Sequence, residues 1–69
     1  MKVRELIDEL YKLPPNAIVV RAGYEGGVAE ATIVALREIN LHVNDDWYYG
    51  PHELTIKNTP GDAAAVFIN

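Results

Sequence analysis

Two adjacent prolines, Pro14 and Pro15, split the chain into a helical head and a remainder that reads as strands and turns. Proline lacks the amide a helix needs and clashes with the turn before it, so no regular helix crosses this point. Ahead of it, Val3, Leu6, Ile7, Leu10 and Tyr11 recur every three or four residues, with Glu5, Asp8, Glu9 and Lys12 largely opposite. That spacing predicts an amphipathic helix over Val3 to Leu13. Behind the prolines, Ala17-Ile18-Val19-Val20-Arg21-Ala22 is short, β-branched and bounded by proline and glycine, which predicts a strand central in its sheet.

The strand runs into Gly23-Tyr24-Glu25-Gly26-Gly27, where three glycines in five residues predict a tight loop with amides free to face a ligand or another strand. Val28 to Val43 supports two readings. Val28, Ala31, Thr32, Ala35, Leu36 and Ile39 fit a helix. The β-branched Thr32-Ile33-Val34 and the alternation of Ile39, Leu41 and Val43 with Asn40, His42 and Asn44 favour a strand, broken or bulged near Ala35 to Glu38. Asn44-Asp45-Asp46 is turn chemistry, Trp47 to His52 an aromatic loop, and Leu54-Thr55-Ile56 a short strand. Asn58 to Asp62 reads as a further turn, and Ala63 to Ile68 as the last strand. The order predicts an α+β fold, an N-terminal helix packed on a small antiparallel sheet of three or four strands, in a single domain spanning 1–69.

Sixty-nine residues bury a marginal core. No cysteine supplies a disulfide, so a second copy of the chain is the expected source of extra burial and a homo-oligomer is expected. The chain also lacks serine, and its only histidines are His42 and His52, so neither a Ser-His nor a Cys-His nucleophile can be built. Six Lys and Arg against ten Asp and Glu give a net charge of −4, with the cations scattered. Duplex nucleic acid is therefore not an expected partner. A small anion is, since one or two placed arginines suffice for it. No apolar run approaches a bilayer span, and the first residues read as a charged amphipathic segment. The expectation is a protein of the cytoplasm, without a membrane partner.

Four features could carry chemistry. The Gly23–Gly27 loop lacks the Gly-Lys-Thr ending of a phosphate-binding P-loop and reads either as a hairpin loop or as a pocket wall. In the second reading Gly26 and Gly27 amides meet an anion while Tyr24 stacks on a flat ring. Trp47, Tyr48 and Tyr49 are consecutive, so an extended loop cannot turn all three into one core. They fit a core or subunit contact, or, through Trp47 and Tyr49, a stacking surface for a nucleobase. Arg21 interrupts an apolar strand just before the glycine loop and is a surface residue or an anion ligand. His42 reads as exposed on the polar face of a strand, whereas His52, after a Gly-Pro turn, can donate to a phosphate. Their spacing, with Asp45 and Asp46 between, is unspecific as a metal pattern, so no metal and no cofactor are assigned.

The run Glu5-Leu6-Ile7, Leu10, Leu13-Pro14-Pro15, Ala17, Val19-Val20 and Gly23-Tyr24-Glu25-Gly26-Gly27, with the later Asn44, Trp47-Tyr48-Tyr49 and Gly50-Pro51-His52-Glu53, resembles small bacterial and phage proteins of unassigned activity. The Gly-Tyr-Glu-Gly-Gly element is its most specific part. The resemblance implies a phage or bacterial setting. Small phage proteins without catalytic machinery often act by binding, and one class sequesters the nucleotide messengers of antiviral defence as oligomers.

The leading expectation is thus a non-enzymatic, homo-oligomeric binding module with no catalytic residue, an anti-defence sponge for a cyclic or linear nucleotide in the host cytoplasm. Its ligand residues would be Arg21, Tyr24, Gly26, Gly27, Trp47, Tyr49 and His52. The alternative is a protein-interaction module that inhibits a host or phage protein. A third reading is a minimal enzyme working through Glu25, His52 or Glu53.

Overall fold

The computed structural model describes residues 1–56 and 59–69, which leaves Asn58 of the expected 58–62 turn outside the described residues. Among the described residues one α-helix and two antiparallel sheets make up an α+β architecture, with the strands divided between a pair and a trio. The chain gathers into two compact units, residues 1–32 with Asn69, and residues 33–68.

The first unit opens with α1, Val3–Tyr11. The Glu5 carboxylate accepts the Lys2 amide at 3.0 Å, half of a capping box and a favourable charge in the first turn. The helix stops two residues short of the expected Leu13. Lys12 and Leu13 donate to Glu9 and Leu10 instead, a tightened last turn before the prolines. Ala17 then donates back to Pro14, which holds it in a turn and delays the strand, so β1 is Val20–Ala22 rather than Ala17 to Ala22. β1 pairs only with β2, Val28–Glu30, through Val20–Glu30, Arg21–Ala29 and Ala22–Val28. It is therefore half of a hairpin and not central in a sheet. Its β-branched composition reports a fit to a pleated surface, not a place in the order of strands.

The second unit carries β3, Val34–Asn40, β4, Glu53–Leu54, and β5, Ala63–Ile68, in the order β4-β3-β5. Strand rather than helix is what the chain adopts over 28–30 and 34–40, but the break falls at 31–33 and not at Ala35 to Glu38, and 41–43 leave the strand. There the Thr32 amide bonds the Asn69 carbonyl at 2.7 Å, while Ala35 to Glu38 pair in register with Phe67 to Ala64. The 54–56 strand shrinks to Glu53–Leu54, although Thr55 still donates to the Glu38 carbonyl at 3.0 Å.

Gly61 sets how closely the return to β5 hugs β3. A Cβ there would lie 2.6 Å from the Ile39 carbonyl oxygen and 2.9 Å from the Thr55 methyl. Only glycine lets the two backbones approach so far. The Asp62 carboxylate accepts the Leu41 amide, and the Glu38 carboxylate accepts that of Gly61. No described residue is fully buried: Val34 and Leu36 stand 76% and 75% exposed, and Val66 and Ile68 opposite them remain open too.

Candidate functional site

The expected ligand residues fall into two groups, one on each unit. Arg21, Tyr24, Gly26 and Gly27 belong to the β1–β2 hairpin. Its pairing continues past the strands, with Ala31 donating to Val19 and Gly23 to Gly27, and closes around a 3₁₀ turn at Tyr24–Gly26. The turn is short because Glu25 sits left-handed at φ 48°, ψ 50° and Gly26 follows at φ 82°. Two such residues in succession reverse the chain sharply and leave Tyr24 88% exposed at the tip. The Arg21 guanidinium is exposed and reaches only the neighbouring Ala22 carbonyl, at 3.5 Å. One expected role is corrected here. The Gly27 amide donates to the Tyr24 carbonyl at 3.1 Å and that of Gly23 to Gly27, so neither is available to an anion. Of the two glycine amides expected to meet an anion, that of Gly27 is spent within the hairpin.

Trp47, Tyr49 and His52 lie on the 41–52 segment of the second unit, a long loop pinned by hydrogen bonds. Val43 and Asn44 both donate to the Pro51 carbonyl, the Asn44 side chain donates to Gly50, and Tyr49 donates to Asp46. The expected Asn44–Asp46 turn is thus displaced onward, to Asp46–Tyr49. The three aromatics follow one another edge to face, with centroids 5.6 Å apart for Trp47–Tyr48 and 6.3 Å for Tyr48–Tyr49. All three are exposed, Trp47 to 93%.

His42 is not on a strand. It occupies a left-handed turn at φ 53° just beyond β3, its ring 4.8 Å from that of His52 and nearly perpendicular to it. Its backbone N–H donates to His52 Nδ1 at 3.0 Å. A neutral His52 therefore carries its proton on Nε2, on the far side of the ring. No cluster of three His, Asp or Glu able to hold a metal occurs among the described residues. Nor is any helix there long and apolar enough to cross a membrane.

The second unit also has a groove that the sequence reading did not anticipate. About 620 Å³ opens along β3 where β4 ends, walled by Ala35–Glu38 on one side and Thr55, Thr59 and Pro60 on the other. Its size suits a small ligand. Its polar side chains are already committed, though: Arg37 Nη2 donates to the Thr55 carbonyl at 3.1 Å, and Glu38 holds the Gly61 amide. None of the expected ligand residues lines it. The Arg37-Glu38 pair inside an apolar strand was its one trace in the sequence. Comparison with protein families, with characterised proteins and with solved structures gives no match for this chain.

Proposed function

We propose that the chain is a non-enzymatic, homo-oligomeric binding module whose ligand is a flat, anionic, nucleotide-like molecule. The observation that carries this reading is the presentation of Tyr24 and Trp47, two nearly fully exposed rings on loops held by their own backbone hydrogen bonds. An exposed ring on an ordered loop has little ordering entropy left to lose when a base stacks on it. Arg21 on the hairpin of the first unit and the Nε2–H of His52 on the loop of the second each offer a group for phosphate. Binding rather than turnover suits an inventory without a nucleophile–base pair. In the phage setting that the resemblance implies, such a module acts by capturing a nucleotide messenger of host defence.

A calorimetric titration with cyclic dinucleotides, linear dinucleotides and ADP-ribose derivatives tests it. The expected result is saturable binding to one of these classes, lost in Tyr24→Ala or Trp47→Ala. Silence across the panel overturns the ligand.

A second reading has its own observation. Val34, Leu36, Val66 and Ile68 form an exposed apolar quartet on one face of the trio, which favours a protein as the partner. Recovery of a stoichiometric protein from host lysate, together with that silence, selects it.

A further inference from the structure

The β4-β3-β5 sheet ends on β5, and this edge has none of the usual guards. Glu38 accepts a hydrogen bond from Thr55, so even-numbered residues of β3 turn their backbone groups toward β4 and odd-numbered ones toward β5. The register sets Ala35, Arg37 and Ile39 opposite Phe67, Ala65 and Ala63. The N–H and C=O groups of Ala64, Val66 and Ile68 consequently point outward, and among the described residues nothing bonds them. Natural edge strands are blunted by lysine, proline or a bulge. β5 reads Ala-Ala-Ala-Val-Phe-Ile, with no charge and no proline.

We propose that a second copy of this chain pairs with that edge, β5 against β5 antiparallel about a two-fold axis. Three strands from each copy then form one continuous sheet, with Val66 facing its symmetry mate. This register pairs every outward group, Val66 with Val66 and Ala64 with Ile68 in both directions. It also joins the two apolar quartets into one surface, because Leu36 and Val34 lie beside Val66 and Ile68 on the same face. An uncharged strand brings no like charges together when it meets its copy, so the edge is self-complementary as a two-fold contact requires.

Self-complementarity selects a copy over a foreign strand, and the exposed area of the chain leaves room for one. The chain exposes 6313 Å², where a folded monomer of 7.7 kDa is expected to expose about 4,300 Å². The excess, roughly 2,000 Å² on each chain, is of the size that obligate homodimers bury. A partner needed by every chain in the cell is most simply the chain itself. The proposal rests on the homo-oligomeric part of the function above and not on its ligand.

The chain has no cysteine, so Val66→Cys introduces a single thiol. Its Cα would lie about 5.5 Å from that of its mate, within the span of a disulfide. Mild oxidation should convert this variant to a covalent dimer, while Tyr11→Cys, at a more open position (90% against 39% exposed), stays largely uncrosslinked. Val66→Lys places two charges face to face and should halve the mass measured by sedimentation. If that variant fails to fold by circular dichroism, the crosslink decides alone. A wild-type chain of monomer mass at micromolar concentration overturns both this proposal and the homo-oligomeric reading, and leaves the edge to a foreign strand. An oligomer whose Val66→Cys thiols stay apart overturns the edge pairing only.

Discussion

His42 donates its backbone amide to Nδ1 of His52 across 3.0 Å, while the two imidazoles meet edge to face. This contact, together with the Asp62 carboxylate on the Leu41 amide, holds the 41–52 loop where it leaves β3, and it fixes which nitrogen of His52 faces outward. The expected outcome is that neutral His52 is the Nε2–H tautomer, read from its ring ¹⁵N shifts. His52→Ala should remove the exchange protection of the His42 amide. A dominant Nδ1–H tautomer would contradict the arrangement.

Gly61→Ala should destabilise the second unit by about 1–3 kcal/mol, the usual cost of forcing an extra methyl into closed space. The methyl meets the Ile39 carbonyl at 2.6 Å, and backbone cannot yield as a flexible side chain would. Urea unfolding read by amide exchange of β3 checks it. Unchanged protection at Ile39 and Asn40 would show that the return loop has room to move.

At the hairpin tip the same substitution acts for a different reason. A Cβ on Gly26 meets nothing within 4 Å, yet its φ of 82° is one that side chains resist. Gly26→Ala should therefore cost about 1 kcal/mol through backbone strain alone. Glu25→Gly, at φ 48°, should stay within about 0.5 kcal/mol of the parent, since relief of strain offsets the added freedom of the unfolded chain. Thermal unfolding of the two variants side by side tests the contrast.

Trp47 is the chain's one tryptophan, so its emission reports the loop without ambiguity. Acrylamide should quench it about as freely as it quenches a free indole. A nucleotide that stacks on the ring should shield it and leave the β-sheet circular dichroism signal unchanged. Quenching that is already weak in the ligand-free chain would mean that the ring is covered by protein.

Much of the fold was legible because its signals are local. The three-and-four spacing gave α1, the prolines gave its end, and β5 runs from Ala63 to Ile68, the apolar run expected as the last strand after the turn. What was missed depends on partners distant in the chain. The break at 31–33 follows from Thr32 meeting Asn69, thirty-seven residues away, and no propensity at Thr32-Ile33 announces it. The solitary pairing of β1 is equally invisible to composition. At the candidate site, that at least one ring of the aromatic run stays out of a core followed from three successive rings diverging; the exposure of all three did not. The loss of the Gly27 donor did not, because it depends on a left-handed Glu25 that glutamate rarely adopts. Gly61 read as ordinary turn chemistry, when its use is the close approach of two backbones.

The groove beside β3 has a last consequence for assembly. Because β4 stops at Leu54, the trio has a second place where a strand could add, along Val34 and Leu36. A unit sticky on both sides would grow without end, as ribbons rather than pairs. Thr55, Thr59 and Pro60 overhang that side, and Arg37 ties the overhang down through the Thr55 carbonyl. On the proposed β5 pairing Arg37 would act as a chain terminator: cutting its tether should turn a finite particle into a fibre-former.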